Sequence, residues 1–190
     1  LKDRLQLDDE LNEIIFTRDP INYSMRLTRH ISFAREKTMH VMEILENVIT
    51  SARKSVHVAM YIFTSEPLAT ALIEAHKKGV DVLVIIDHSM EHSSNSKISR
   101  LRDAGIPVRI YRRQTLHHKM CVVDVPCKEN KATTTKISLR TVPIPVQGVV
   151  ISGSLNWTRE ALMSNEENFS VNSKPALCQR AAKKFFELWN

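Results

Sequence analysis

Apolar positions along the chain alternate between two periods. Short β-branched runs with little polar interruption are followed by segments whose apolar residues return every three or four positions, the pattern of a sheet covered by helices. Residues 13–16 form the first candidate strand. Thr38 is placed to cap a helix in which Met39, Met42, Leu45, Val48, Ile49 and Ala52 make one apolar stripe, with Arg53 and Lys54 suiting its C-terminal end. The run at 56–63, VHVAMYIF, hardly alternates and predicts a buried strand with His57 as a packed or edge histidine. Ser65 and Pro67 open a second helix that Gly79 stops, and DVLVIID at 81–87 follows as a strand. A helix at 95–104 ended by Gly105 and a strand at 106–111 extend the order to β-α-β-α-β-α-β. Beyond an interruption, GVVIS at 148–152, a short helix after Trp157, a strand at 168–171 and a closing helix at 175–189 complete an α/β fold with a mixed sheet flanked by helices on both faces. A length of 190 residues predicts a single domain, 1–190.

The interruption, about 125–147, holds three prolines, a Thr run and no helical stripe, and reads as an inserted loop or hairpin. Its Lys128, Lys131, Lys136 and Arg140 against Glu129 give a local net charge of +3. Such an excursion is either solvated surface or a substrate-contacting element. The whole chain carries +6, which favours anionic partners: nucleic acid, phosphate esters or acidic lipid headgroups. Cys121, Cys127 and Cys178 form neither a C-x-x-C pair nor an even set, so a disulfide framework is not expected and a reducing compartment fits. No apolar run approaches the ~20 residues of a membrane span. The chain opens at Leu1 on a charged stretch, and we expect that something upstream has been trimmed away.

The informative chemistry lies in His117-His118-Lys119-Met120-Cys121-Val122-Val123-Asp124. Residues two apart on a strand share a face, so His117 and Lys119 project together while His118 has the opposite parity, suited to packing or support. An imidazole beside an ammonium suits a phosphodiester: the ring attacks phosphorus or moves protons, and the cation stabilises charge on the phosphoryl oxygens. Gly153-Ser154-Leu155-Asn156-Trp157-Thr158 sits at a strand-to-helix junction where Ser154 and Asn156 offer donors to the same oxygens. Glu166-Glu167-Asn168 supplies a carboxylate able to hold a histidine Nδ1–H.

His117-x-Lys119-x4-Asp124 matches the H-x-K-x4-D signature of the phospholipase D superfamily, and GSLNWT followed by NEEN resembles the second half of that family's site. Within it, the single signature, the opening LNEIIF and the closing FFELW resemble the Zucchini-like mitochondrial branch, over about 11–189. The resemblance implies a phospholipase D-like fold and the site residues His117, Lys119, Asp124, Ser154, Asn156 and Glu167. His117 would be the nucleophile that forms a phosphohistidine, Lys119 the phosphate ligand, Ser154 and Asn156 the rest of the pocket, and Glu167 the carboxylate that orients His117. Asp124, though part of the signature, is read as structural. The mechanism needs a second histidine, and one signature per chain therefore implies a homodimer with its two-fold axis through the site. The resemblance also implies a place on the mitochondrial outer membrane, facing the cytosol, and other proteins of small-RNA (piRNA) biogenesis as partners. One departure stands out: the Cys/His zinc insert usual in that branch corresponds to 17–37, which has His30 and no cysteine. No metal and no other cofactor is expected. A zinc site from Cys121, Cys127, His117 and His118 lacks suitable spacing.

Three functions compete. The first is a metal-independent endonuclease on single-stranded RNA, or DNA, for which the resemblance implies a 5′-phosphate on the downstream product. The second is hydrolysis of an anionic phospholipid such as cardiolipin, for which Val142, Ile144 and Val146 are the apolar cluster at hand. The third is an RNA-binding module without catalysis. Arg112 and Arg113, just before the signature, are surface basics or contacts to a phosphate backbone, and His88 and His92 either line the cleft rim or are solvated. With 6% aromatic residues, base stacking has few platforms, and backbone-dominated binding is expected.

Overall fold

A computed structural model describes residues 12–17, 41–126 and 148–190. Thr38, His30, Cys127 and the basic residues Lys128, Lys131, Lys136 and Arg140 lie outside them, as do Val142, Ile144 and Val146. The elements in chain order are β1 (Asn12–Phe16), α1 (Val41–Thr50), β2 (Ser55–Met60), α2 (Glu66–Lys77), β3 (Asp81–Asp87), α3 (Ile98–Asp103), β4 (Val108–Tyr111), β5 (Lys119–Val123), β6 (Val149–Gly153), α4 (Arg159–Met163), β7 (Asn168–Asn172) and α5 (Pro175–Trp189).

Seven strands form one sheet in the order β1-β7-β6-β5-β2-β3-β4. The three strands linked through α2 and α3, β2, β3 and β4, run parallel, and every other neighbouring pair is antiparallel. Helices cover both faces, as the sequence predicts. On one face Ile44, Leu45 and Ile49 of α1, Leu68 and Leu72 of α2 and Leu101 of α3 pack with Val58, Val84 and Ile86. On the other, Cys178, Ala182 and Phe185 of α5 close over Ala59, Ile85, Met120 and Val122. Each fully buried Leu, Ile or Phe contributes on the order of 1.5–3 kcal/mol through area removed from water.

The expected strand at 56–63 ends early. After Met60, the Tyr61 N–H donates to the His118 carbonyl, and the Trp157 N–H donates to the Ile62 carbonyl. Residues 61–65 thus leave β2 to pair with the stretch after β6, where Phe63 bridges Trp157 with its ring edge-on to the indole. Phe63 is apolar because it is buried there, not because the strand continues. His57 is packed, as expected. It is 1% exposed, 3.2 Å from the Asp81 carboxylate, and stacked at 4.9 Å and 14° on Phe185.

Two carboxylates fix where strands stop. Asp87, at the end of β3, accepts from the Ser89 N–H at 2.9 Å and from the Leu116 N–H at 2.7 Å, so it pins the connection that leads into β5. Asp124, just past β5, accepts from the backbone N–H groups of Arg53 (2.9 Å), Lys54 (2.7 Å) and Ser55 (3.0 Å). Its own N–H donates to the Ser55 carbonyl, and its φ of 54° lies in the left-handed region that Asp and Asn tolerate. Asp124 is therefore a clasp between β5 and the start of β2, at the end of β5 opposite Lys119.

Asp124→Asn keeps the left-handed backbone but halves the acceptor capacity and removes the charge, and should cost about 1.5–3 kcal/mol. Asp124→Ala should cost more, because it also strains the backbone. Denaturant unfolding midpoints check the order; equal losses for both variants would contradict the clasp.

Candidate active site

The register of the antiparallel pairs decides what meets at one edge of the sheet. Met60 pairs with Lys119, Met120 with Ser152, and Gly153 with Phe169, so the end of β2, the start of β5, the end of β6 and the start of β7 lie side by side. His117 lies just outside β5 rather than inside a strand, and its imidazole and the Lys119 ammonium both lie against the ring of Tyr61. The Lys119 ammonium donates to the His117 carbonyl at 3.2 Å and lies 5.1 Å over the Tyr61 ring, and that ring meets the His117 imidazole at 4.7 Å. Tyr61 thus spaces the cation and the imidazole. Sequence reasoning missed it because Tyr61 was absorbed into an apolar run; its place beside His117 follows from the β2–β5 pairing.

His117 is exposed and Lys119 half-buried. Burial lowers the Lys119 pKa and the Glu167 carboxylate works against it, leaving an ammonium that is partly stripped of water and faces a negative charge. His118 is exposed and, like His117, lies just outside β5. Partial burial, then the charges of Lys184 on α5 and of Lys119, hold its pKa below the usual imidazole value.

Ser154 reaches the site because β6 and β7 approach closely at Gly153: a Cβ there would lie 2.2 Å from the Asn168 carbonyl oxygen, so only glycine fits. The Ser154 N–H donates to the Asn168 carbonyl at 2.9 Å, and the Asn168 N–H returns to Ser154 Oγ at 3.1 Å. Ser154 Oγ donates to one Glu167 carboxylate oxygen, and Asn165 Nδ2 donates to the other at 3.1 Å. Glu167 therefore takes its hydrogen bonds from Ser154 and Asn165, and the expected bond to His117 is not made within the chain. Thr17 locks this turn from β1: its Oγ1 donates to the Asn165 carbonyl at 2.7 Å and accepts the Glu167 N–H at 2.9 Å. Asn156 accepts the Ile62 N–H through Oδ1 at 3.3 Å, which leaves Nδ2 as its donor.

The remaining residues separate. Asp124 sits at the opposite end of β5 in its backbone clasp. Arg112 pairs with Glu91, and Arg113 is exposed. His88 is half-exposed beside Asp87, with Nδ1 at 3.5 Å, and His92 is exposed. Cys121 is buried, its thiol pushed up to about 12. Among the described residues no cluster of three His, Cys, Asp or Glu side chains could hold a metal ion, and no helix is long and apolar enough to cross a membrane.

Residues 45–189 match the family model described as cardiolipin synthase, PLD-like domain, and the chain belongs to this phospholipase D-like family. Among curated proteins, it is 33% identical over 152 residues to mitochondrial cardiolipin hydrolase of Drosophila melanogaster, covering 79% of this chain and 58% of the relative. It is 32% identical over 148 residues to the protein of the same name from Danio rerio, covering 77% and 55%. The chain spans little more than half the length of these relatives. Among solved structures, Nuc of Salmonella typhimurium, a phospholipase D family member, superposes with a TM-score of 0.66 at 23% identity, covering 96% of this chain and 95% of that one. NucT of Helicobacter pylori gives 0.63 at 17% identity, with 95% and 96% covered. These two likenesses establish the phospholipase D-like fold.

The pin on the connection to His117 titrates. Burial pushes the Asp87 carboxyl up, but the hydrogen bonds from Ser89 and Leu116 and the neighbouring His88 outweigh it and hold the group below its ordinary 3.8. A lowered folded pKa favours the folded state above the ordinary value, so this contribution is present at neutral pH and is lost as pH falls below about 4. Asp87→Asn should therefore flatten the acid limb of stability against pH. Unfolding midpoints between about pH 5 and pH 3 check it; an unchanged slope would contradict it.

Proposed function

We propose that the chain is a metal-independent phosphodiesterase that cuts single-stranded nucleic acid, RNA foremost, in a homodimeric site. The observation that carries the reading is the grouping of His117, Lys119, Ser154 and Asn156 at one sheet edge, with Tyr61 between the imidazole and the ammonium. A His117 ring nitrogen attacks phosphorus and the P–O3′ bond breaks, leaving a phosphohistidine that carries the 5′ side of the downstream strand. Lys119 and Asn156 Nδ2 hold the non-bridging oxygens as negative charge builds on them, and Ser154 Oγ joins them when its one proton swings from Glu167 to the phosphate. The departing O3′ takes a proton from a second imidazole, which then removes a proton from water as that water attacks phosphorus and frees His117. The reaction needs this second imidazole, and on this reading a second copy of the chain supplies it. Glu167 serves by orienting the Ser154 hydroxyl.

The +6 charge supports a polyanionic substrate. A second reading, hydrolysis of an anionic phospholipid such as cardiolipin, is favoured by the names of the curated relatives, and the same phosphate chemistry serves it. Location at the mitochondrial outer membrane and partners in small-RNA biogenesis belong to the proposal through that kinship.

The test is cleavage of labelled single-stranded RNA in EDTA, beside phosphatidic acid release from cardiolipin liposomes. We expect RNA cleavage that survives EDTA, yields 5′-phosphate ends, and falls by at least about 10³-fold in His117→Ala. Loss in EDTA, or cleavage retained by His117→Ala, overturns the mechanism; liposome turnover without RNA cleavage transfers it to lipid. Sedimentation gives the mass, and an active monomer contradicts the shared site.

A further inference from the structure

One aromatic construction on the far side of the sheet is not used by this chemistry. His57, fixed by Asp81, stacks on the buried Phe185, and Phe185 stacks on Trp189 at 5.8 Å and 19°. The Arg109 guanidinium lies over the Trp189 ring, 4.6 Å from its centre. Four planar groups therefore run in series from the core to an exposed arginine on β4, the strand at the edge of the sheet. A surface arginine ordinarily has several rotatable bonds to freeze before it contributes to binding. Here the indole holds Arg109 in advance, so less is lost when a ligand arrives.

Arg109 does not stand alone. It lines a groove with Ile85, Tyr111, Arg112, Arg113 and Trp189. Glu91 pairs with Arg112, and no salt bridge to Arg109 or Arg113 forms among the described residues. The groove is also tied to the site. Lys119, Met60, Ile86 and Ile110 stand in one row across the sheet, three strand spacings or roughly 14 Å from end to end. Arg112 and Arg113 begin the connection that ends at His117, and Asp87 pins it through Leu116. Arg109 points to the α5 face and Lys119 to the other, so a ligand touching both passes over the sheet edge at 112–113.

Resting on the nucleic-acid reading above, we propose that this groove is a second binding subsite for the single strand, used by a nucleotide distant from the bond that breaks. A base stacks on the outward face of the Arg109 guanidinium, and Arg113 takes an adjacent phosphate. The chain's scarcity of aromatics is offset here because the arginine plane, backed by Trp189, replaces a free ring as the platform. A lipid headgroup has no base to stack and no reach of this length.

The test is equilibrium binding of labelled RNA to His117→Ala protein, which holds the strand without cutting it. Adding Arg109→Ala should weaken binding of an oligonucleotide of about 12 residues roughly tenfold, while an oligonucleotide of about 3 residues, too short to span both places, loses less than about twofold. Arg109→Lys keeps the charge without the plane and should not restore affinity. Trp189→Leu should give an intermediate loss, and Lys77→Ala, on the surface of α2, none. Circular dichroism melts establish that each variant is folded. Equal affinity of the Arg109→Ala and parent proteins, rescue by Arg109→Lys, or an equal loss at both lengths overturns the subsite. Arg109-dependent binding of anionic vesicles without such dependence for RNA also overturns it. If wild-type protein never cuts RNA yet long-strand binding requires Arg109, the groove stands and the catalytic reading falls.

Discussion

Antiparallel pairing of β5 with β2 on one side and β6 on the other is the constraint on which the rest depends. Met60 opposite Lys119 and Met120 opposite Ser152 bring Tyr61, His117 and Ser154 to one edge although they are distant in sequence. Side chains alternate faces, so a slip of one residue would turn Lys119 toward α5 and Met120 toward the site. Burial prevents that slip: Met120 and Val122 fill the α5 side while Cys121 and Val123 fill the other. The backbone bonds at the two ends of β5, from Tyr61 to His118 and to the Asp124 carboxylate, fix the register further.

The site built on that register is asymmetric in its use of water. His117 stands exposed, while Lys119 is half-buried and its ammonium is partly desolvated. A cation in that condition interacts more strongly with phosphoryl oxygens than one fully in water. Glu167 limits the cost by leaving a carboxylate near enough to act on Lys119 while spending its hydrogen bonds on Ser154 and Asn165. The 165–167 turn owes its shape to Thr17, a residue 150 positions away, so β1 supports the pocket without entering it.

Much of this was legible in the sequence. The run at 81–87 and the helix at 175–189 have the boundaries the pattern predicts, because each is bracketed by local signals: Gly79 with φ 88° before β3, and Pro175 at the start of α5. What stayed hidden depends on pairings between distant segments. Nothing local shows that residues 61–65 leave β2 to follow 157, that Glu167 prefers Ser154 to His117, or that β4 carries Arg109 under the end of α5. The signature's aspartate is a similar case: spacing groups Asp124 with His117 and Lys119, while the strand between them holds it at the other end of β5.

Phosphate chemistry alone does not choose a substrate for such a fold. On the proposed reading the donors at the sheet edge engage the atoms that every diester shares, a phosphorus and its non-bridging oxygens, and treat a nucleic acid and a phospholipid headgroup alike. Selectivity must therefore come from surface that touches what differs: acyl chains in one case, bases and further phosphates in the other. The described surface beyond the site at β4 offers arginines, one of them braced by a stack that reaches the core through Phe185 and His57. Bracing an exposed cation commits aromatic surface and a buried imidazole held by a partly exposed carboxylate. That expense is reasonable where a flat, charged group must be presented, and it does nothing for an acyl chain.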